Sequence, residues 1–303
     1  MRVPTMMDRP VGVIGAGRVG TALGLALLRA GYELVGVNAR SEASRQRAAD
    51  VLPDTPLRDV PTLAKSAGIL LLSVTDDAIG SVAAELADGG LLQPGQIVMH
   101  VSGACGLAVL APATEAGAVP IAVHPAMTFP GLPTDADNLA GLAYAVTTRP
   151  HDRPLAEELV RDVGGVPVWI ADEDRTLYHA ALVLGANNLI TLLAAAMEAL
   201  MAAGVPDPGF VLAPLARTSM ENALRHGDHA LTGPVRRADV GTIEAHLRAL
   251  RDRAPHLLPA YLDFGLNTAR RSRRAALNEA GRLDEVIVLL EARSAEARDD
   301  IDR

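Results

Sequence analysis

Apolar and polar positions are spaced differently on the two sides of residue 172, and this difference predicts two domains. Before that point, short apolar runs alternate with stretches whose apolar residues recur at helical spacing. After it, only helical spacing remains. An alternation of strands and helices is typical of a doubly wound, mainly parallel sheet. We therefore expect an α/β domain over residues 8–172, followed by an all-α domain over residues 173–303.

The same pattern assigns the individual elements. Strands are predicted at residues 11–14, 33–37, 68–74, 96–101, 119–123, 142–147 and 166–170. Helices are predicted between them at residues 43–51, 78–87 and 154–163, and after them at 175–203, 210–225, 240–253, 259–276 and 283–297. Ligands of such a sheet bind at the carboxyl ends of the strands, so the residues that follow each strand are the candidates for a site.

The predicted helix over residues 175–203 contains the most apolar long stretch of the chain. It also holds Asn187, Asn188 and Glu198, which favour a buried helix of a soluble protein over a membrane span. Such a helix can be buried inside its own domain or against a second subunit. We expect a homodimer formed through the helical domain.

Composition narrows the classes of function. The net charge of −8 argues against wholesale nucleic-acid binding. The single cysteine excludes an internal disulfide and a zinc site with several cysteine ligands, and we expect no metal. The first ten residues lack the apolar core of a signal peptide, so we expect a cytoplasmic protein.

A G-x-G-x-x-G motif directly follows the first predicted strand, and it reads Gly15, Ala16, Gly17, Arg18, Val19, Gly20. A strand before the motif and a helix after it are the context in which it binds a dinucleotide. The first glycine would permit the tight turn, the second the approach of a pyrophosphate, and the third close packing of helix and strand. The helix N-terminus would offer free N–H groups to the phosphates. We therefore interpret the first domain as a Rossmann domain.

The end of the second predicted strand indicates which cofactor is bound. A cofactor with a free ribose 2′-hydroxyl usually meets an acidic side chain there. This strand is followed by Asn38, Arg40 and Ser41, with no acid among them. Arg40 and Ser41 are suited to a 2′-phosphate, which favours NADP(H) over NAD(H), and the alternative is a solvated loop arginine. After the third strand, Val74 and Thr75 are expected beside the cofactor.

Three later positions are candidates for chemistry on a substrate. Ser102, after the fourth strand, is suited to hold a small polar substrate, and the alternative is a plain turn. His124, after the fifth strand and fixed by a proline, is a candidate proton donor, or else a histidine bound to loop backbone. On the long helix, His179 and Asn187 would lie about 80° apart and could share one face. A structural asparagine bonded to a neighbouring helix is the alternative there.

The order of these features resembles the 6-phosphogluconate dehydrogenase-like superfamily, which includes β-hydroxyacid dehydrogenases and ketopantoate reductases. The chain is more similar to a Rossmann-like branch whose helical domain is called DUF2520. Residues 231–239, Tyr178-His179 and Glu221-Asn222 resemble that domain. The resemblance implies an NAD(P)-dependent reductase of a small carbonyl or imine. The superfamily's catalytic lysine would fall on Leu184 here, which cannot donate a proton.

The sequence thus predicts an NADPH-dependent oxidoreductase that reduces a small carbonyl compound, such as the 2-oxo acid ketopantoate. Ser102 and Asn187 would hold the substrate, and His124 or His179 would supply the proton. One alternative is a non-catalytic NADP-binding sensor or assembly protein. Another is a reductase that acts on imines or uses a deazaflavin.

Overall fold

A computed structural model describes residues 6–277 and 280–301 of the chain. Its contacts divide the chain into two units, Met1–Gly185 and Ala186–Arg303. The sequence pattern placed the change at residue 172, where strands give way to helices. The boundary between the two units lies later in the chain because Arg175, which begins the next helix, donates hydrogen bonds to residues of the first unit.

The first unit is built on a single seven-stranded sheet. Its strands are β1 Val11–Ile14, β2 Leu34–Asn38, β3 Ile69–Leu72, β4 Ile97–His100, β5 Val119–Pro125, β6 Ala143–Thr148 and β7 Val166–Trp169. Their spatial order is β2-β1-β3-β4-β5-β6-β7. All neighbours pair in parallel except β5 and β6, which are antiparallel. The predicted strands and the doubly wound, mainly parallel sheet are confirmed.

Helices cover the sheet in the first unit. They are α1 Arg18–Arg29, α2 Glu42–Val51, α3 Val60–Ser66, α4 Asp76–Asp88, α5 Ala111–Glu115, α6 Arg153–Asp162 and α7 Arg175–Gly185. Strands β1, β3 and β4 are buried at every position. Unbroken apolar strands are typical of a parallel sheet with both faces covered. Two separate core clusters accordingly form, one with Val13 and Leu71 and another with Leu70 and Leu72.

The second unit is helical throughout its described part. Its helices are α8 Asn187–Ala202, α9 Pro208–His226, α10 Gly233–Arg237, α11 Val240–Arg253, α12 Leu258–Arg274 and α13 Ala280–Ile301. The core of this unit is formed by the inner faces of α11, α12 and α13, where Ile243, Leu262 and Leu290 are almost fully buried. The predicted all-α second domain is confirmed.

The prediction of one uninterrupted helix over residues 175–203 is wrong. The helix stops at Gly185, Ala186 leaves helical geometry with φ −118° and ψ −67°, and α8 begins at Asn187. Glycine and asparagine both weaken a helix, glycine through backbone freedom and asparagine by competing for backbone hydrogen bonds. Their succession at this point accounts for the interruption.

The short helices α3, α5 and α10 were not predicted from the sequence. Each has a proline in its first turn, at Pro61, Pro112 and Pro234. Proline is favourable at that position because its fixed φ suits the helix and its missing N–H needs no partner.

Helices α8 and α9 have no buried residue within the chain. The stretch Asp172–Ala202 is long and apolar enough to cross a membrane by length and composition, and no residue of its most apolar 18-residue segment is buried in the chain. Burial inside its own domain, one of the two expectations for this stretch, is therefore not observed. Large apolar side chains of α9 are exposed, with Phe210 at 80% and Leu224 at 82%.

The close approach of α1 to β1 gives a test of the fold. A Cβ at Gly20 would lie 2.3 Å from the Gly15 carbonyl oxygen and 2.8 Å from Ser73 Cβ, so Gly20→Ala should destabilise the first unit by about 1–3 kcal/mol. The control is Gly80→Ala in α4, where a Cβ meets nothing closer than 3.9 Å. That change should stabilise by about 0.5–1 kcal/mol. Urea denaturation of both variants measures the difference, and equal stabilities would contradict it.

Candidate active site at the carboxyl edge of the sheet

The glycine motif lies where the order of the sheet changes direction. Strand β1 pairs with β2 on one side and with β3 on the other, so the crossovers leave it in opposite directions. Gly15 has φ +103°, a conformation that favours glycine. The N–H groups of Gly15 and Ala16 both donate to the Asn38 carbonyl, at 3.1 Å. The motif therefore forms the tight turn expected after the first strand.

The turn leaves room for a phosphate group at the start of α1. Gly17 is the N-cap of this helix and offers no side chain to its N–H groups. A Cβ at Gly17 would meet only the Ser73 carbonyl oxygen, at 3.8 Å, so the space beside it is open. Free N–H groups and the positive end of a helix dipole are what a pyrophosphate requires. These residues fit the pyrophosphate of a dinucleotide.

The other members of the motif contact their surroundings in different ways. Val19 packs against the core beneath α1. The Arg18 guanidinium donates to the Phe129 carbonyl at 3.4 Å, so this side chain lies against the loop after β5. Arg47 of α2, which the sequence reasoning missed, donates to the Ala16 carbonyl at 3.3 Å. It brings a second positive charge to the glycine turn.

The end of β2 is positively charged. Asn38 donates to the Arg58 carbonyl at 3.0 Å, Arg40 is exposed, and Ser41 caps α2 by accepting from the Ser44 N–H. A Cβ on Gly36 would lie 2.8 Å from Arg58 Cδ, so the Arg58 side chain crosses the end of this strand. Arg58 comes from the loop before α3, and its N–H donates to the Val37 carbonyl at 3.0 Å, which holds this residue against the end of β2.

Val74 and Thr75 follow β3, next to the glycine turn. A Cβ on Gly15 would lie 3.2 Å from Val74 Cγ1. Thr75 is the N-cap of α4, and Asp76 and Asp77 occupy the first turn of that helix. Acidic residues in the first turn complement the helix dipole.

Ser102 holds the turn after β4 together. It is 6% exposed, and its Oγ accepts from the N–H groups of Ala104 and Cys105, at 3.2 and 3.0 Å. His100 supports the same turn, since its Nδ1 accepts from the Ser102 N–H and its Nε2 lies 3.0 Å from the Gly106 carbonyl. These partners require the neutral tautomer with hydrogen on Nε2. Burial accordingly lowers the pKa of His100 to about 4.

His124 meets two side chains of α7 across this turn. Its Nδ1 lies 3.0 Å from Tyr178 Oη. The His179 ring is edge-on to the His124 ring, with centroids 6.2 Å apart. A Cβ on Gly103 would lie 2.7 Å from His179 Cδ2 and 3.1 Å from His124 Nε2, so both rings pack into the space that a side chain at this position would need. We use the name Gly103 cluster for Gly103, His124, Tyr178 and His179.

Burial dominates the electrostatics of the Gly103 cluster. It lowers the pKa of His124 to about 4, helped by the positive charge of Arg175 and by His179, while Asp76 opposes the change. Burial raises the pKa of Tyr178, and Arg175 opposes that change. At neutral pH the cluster therefore presents a neutral imidazole bonded to a neutral phenol, a pair that can hold or release a proton.

The structure brings together some of the predicted substrate residues and not others. Ser102, His124 and His179 gather around Gly103. Asn187 is an exposed residue at the start of α8, in the second unit. The helix is interrupted between His179 and Asn187, and the expectation that these two residues share one face stays a prediction. Leu184, in the place of the superfamily lysine, is 67% exposed.

Two residues of the site were missed as chemical groups. Tyr178 was noted only for its resemblance to the helical domain, and its adjacency to His179 was the available signal. Arg175 entered the sequence analysis only as the first residue of the predicted helix over residues 175–203, yet it is completely buried. Within the described residues, no group of three or more His, Cys, Asp or Glu side chains could hold a metal ion.

Two family models match the chain in succession. Residues 5–125 match the Rossmann-like domain, and residues 142–268 match a domain of unknown function, DUF2520. The predicted resemblance to these two domains is confirmed, and the placement in the 6-phosphogluconate dehydrogenase-like superfamily stays a prediction. No curated protein matches the chain.

Solved structures of similar fold include several reductases. BF3122 from Bacteroides fragilis, named as a candidate NADP oxidoreductase, is 22% identical with a TM-score of 0.72 and covers 87% of this chain and 99% of its own. An imine reductase from Myxococcus stipitatus in complex with NADP+ is 17% identical with a TM-score of 0.60, covering 93% of each chain. A pyrroline-5-carboxylate reductase from Coxiella burnetii is 19% identical with a TM-score of 0.52, covering 89% and 99%. At these identities the likeness establishes the fold.

The depressed pKa values of His100 and His124 predict how stability depends on pH. Between about pH 6.5 and 4 the unfolded chain binds protons that the folded chain does not, so the free energy of unfolding should fall as pH falls. Each histidine contributes at most about 1.4 kcal/mol per pH unit. Urea denaturation across this range measures the slope.

His124→Gln should make that slope shallower, and His151→Gln, at an exposed histidine of the same unit, is the matched control. The same slope for the wild type and for His124→Gln would contradict the assignment.

Proposed function

We propose that this protein is an NADPH-dependent oxidoreductase that reduces a small carbonyl or imine compound. The observation that carries the proposal is the Tyr178–His124 pair beside Gly103. Gly103 follows β4 and His124 lies near the end of β5, and the carboxyl ends of these strands share the edge of the sheet at which β1 ends in the glycine turn. A proton-donating pair and a dinucleotide turn at one sheet edge are the parts that a reductase needs.

The preference for NADP(H) rests on the end of β2. No acidic side chain follows Asn38 before Arg40, and Arg58 adds a second positive charge there. A 2′-phosphate would be bound by these guanidinium groups and by the N-terminus of α2. The first carboxylate after the strand, Glu42, is paired with Arg45 at 2.9 Å. The NADP+ in the Myxococcus stipitatus enzyme supports this preference.

Within this proposal, Tyr178 is the proton donor. The bound nicotinamide would supply a hydride to the substrate carbon, and the electron pair of the C=O or C=N bond would move to the heteroatom. The Tyr178 hydroxyl gives its proton to that atom and becomes a phenolate. His124, neutral at pH 7, can donate from Nδ1 to Tyr178 Oη, which stabilises the phenolate and leaves the hydroxyl hydrogen free for the substrate.

The charges around the cluster favour a carbonyl substrate over a cationic iminium. Arg175 is a buried positive charge, and both His100 and His124 are neutral at pH 7. A positively charged substrate would be repelled, and Asp76 is the one acid that acts on His124. A small 2-oxo acid such as ketopantoate therefore remains the first candidate, and imines are the second.

A second candidate function is an NADP-binding sensor without catalysis. It is favoured by Leu184, an exposed apolar side chain in the place of the superfamily lysine. The Tyr178–His124 pair argues against it, because this pair supplies the missing proton donor from another position of the same helix. Tight NADPH binding without turnover on any compound would favour the sensor.

The experiment is an assay of NADPH and NADH oxidation with small 2-oxo acids and cyclic imines. We expect NADPH to be preferred. Tyr178→Phe should lower kcat by about 10²–10⁴-fold, because it removes the proton and keeps the ring. His124→Ala should lower turnover less, and both variants should bind NADPH as the wild type does. A Tyr178→Phe variant with full turnover would contradict the role of the hydroxyl.

We also propose that the helical unit forms a homodimer. Helices α8 and α9 bury no residue in their own chain, yet α9 exposes Phe210, Leu215 and Leu224. A helix that is apolar on several sides requires burial. A cavity of about 390 Å³ between α8 and α11–α12 is lined mainly by apolar side chains, and it would accept such side chains from a second copy.

A second copy explains α8 better than a membrane does. Glu198, in the middle of α8, lies 3.0 Å from His256, and Arg253 donates to the Ala202 carbonyl. A membrane span would place these polar contacts near hydrocarbon, which is costly. A two-fold dimer buries the apolar side of the helix and leaves the polar contacts at its edge. The cytoplasmic location stays a prediction.

Sedimentation measures the dimer directly. The wild type should sediment as a dimer, and Leu224→Glu with Phe210→Glu should shift it to monomer by burying two charges in the interface. Leu132→Glu, at a leucine of the first unit that is 57% exposed, is the control and should leave the mass unchanged. A monomeric wild type that binds phospholipid vesicles would point to the membrane instead.

A further inference from the structure

We propose that Arg175 is a positioning residue of the Gly103 cluster, whose buried guanidinium fixes the helix of Tyr178 and His179 to the Ser102 turn and to β6. This inference rests on the proposed reductase function. It assigns a role to the most deeply buried charged side chain of the described chain, which is 0% exposed. Tyr178 and His179 follow it within the first turn or so of α7.

The hydrogen bonds of Arg175 join three parts of the first unit. Its Nη2 donates to the Ser102 carbonyl, in the turn that also contains Gly103. Its Nη1 donates to Thr147 Oγ1 at 3.1 Å, and that hydroxyl donates to the Ile170 carbonyl at 2.8 Å. Because the planar guanidinium has a fixed shape, it sets the distance and angle between α7 and the Ser102 turn.

The placement of Thr147 follows from the antiparallel strand of the sheet. His100 pairs with Ala122, and Ala122 pairs with Thr147, so the three residues form one row across β4, β5 and β6. Arg175 therefore spans from the end of β4 to β6, past the strand that carries His124. A shorter side chain or a non-planar head group could not contact both ends.

The electrostatic environment of Arg175 is unusual for a structural arginine. Among the described residues it forms no salt bridge, and its Nε has no hydrogen-bond partner. A buried charge without a carboxylate partner costs stability. Its charge does act on the cluster, since it lowers the pKa of both His124 and Tyr178. The two hydrogen bonds of Arg175 would be sufficient for a structural role. Its positive charge has a further effect, because it favours a neutral His124 and a phenolate at Tyr178.

The groups that face His124 define the pH effect. They are Arg175, Tyr178 and His179 on α7, and Asp76 at the start of α4. Asp76 acts in the opposite direction to Arg175, and burial is the largest influence. Removal of the arginine charge takes away one of the influences that lower the pKa of His124, while burial and His179 remain, so this pKa should rise.

The experiment titrates His124 by NMR in the full chain with labelled histidine, using His124→Gln to assign the signal. Arg175→Gln should raise the pKa of His124 by about one unit, and Arg175→Lys, which keeps the charge, should raise it less. Arg161→Gln, which breaks an exposed ion pair with Glu157 in the same unit, is the control and should leave the pKa of His124 unchanged. An unchanged pKa in Arg175→Gln would overturn the proposal.

Kinetic measurements complete the test. Both arginine variants should lower kcat at least tenfold with little change in KM for NADPH, and the pH profile of kcat should shift in Arg175→Gln alone. If Arg175→Gln does not fold, Thr147→Val removes one hydrogen bond of the Arg175 guanidinium and keeps its charge. This variant should also lower kcat. Normal kcat in Thr147→Val and in Arg175→Lys would then overturn the proposal. Because the NMR titration needs no substrate, it tests Arg175 even if no compound is reduced.

Discussion

Parallel pairing of the first five strands is the constraint on which the site depends. Parallel neighbours can be joined only by crossovers, so β1, β3, β4 and β5 all end at one edge of the sheet. The glycine turn, Val74 and Ser102 follow β1, β3 and β4, and His124 lies near the end of β5. They are far apart in sequence and become neighbours only through the order of the sheet. The hydrophobic burial that forms the sheet thus also assembles the chemistry.

Much of the first unit could be predicted because its signals are local. The glycine motif needs only a strand before it and a helix after it, and both are visible as an apolar run and an amphipathic stretch. Ser102 and His124 were candidates because the end of a parallel strand faces ligands in this kind of sheet. The sequence also shows that no acidic residue directly follows Asn38, and in the structure the end of β2 is positively charged.

The remaining features depend on long-range contacts or on small backbone effects. Arg175 and Thr147 are 28 positions apart, and only the antiparallel pairing of β6 brings them together. Arg58 contacts the end of β2 through a loop with no pattern of its own. The interruption at Ala186 is a matter of one residue in an otherwise apolar helix, and hydrophobic spacing is insensitive to such a change. Exposure of α8 cannot be read from its composition, which suits burial in a core or against another chain equally well.

Gly103 allows two imidazole rings to approach the backbone at the turn after β4. The first carbon of any other side chain would lie 2.7 Å from the His179 ring and 3.1 Å from the His124 ring, so at least one ring would have to move. A substitution at Gly103 would therefore change the geometry of proton transfer without replacing any group that carries a proton. The smallest residue of the cluster thus governs its chemistry by setting where the larger ones stand.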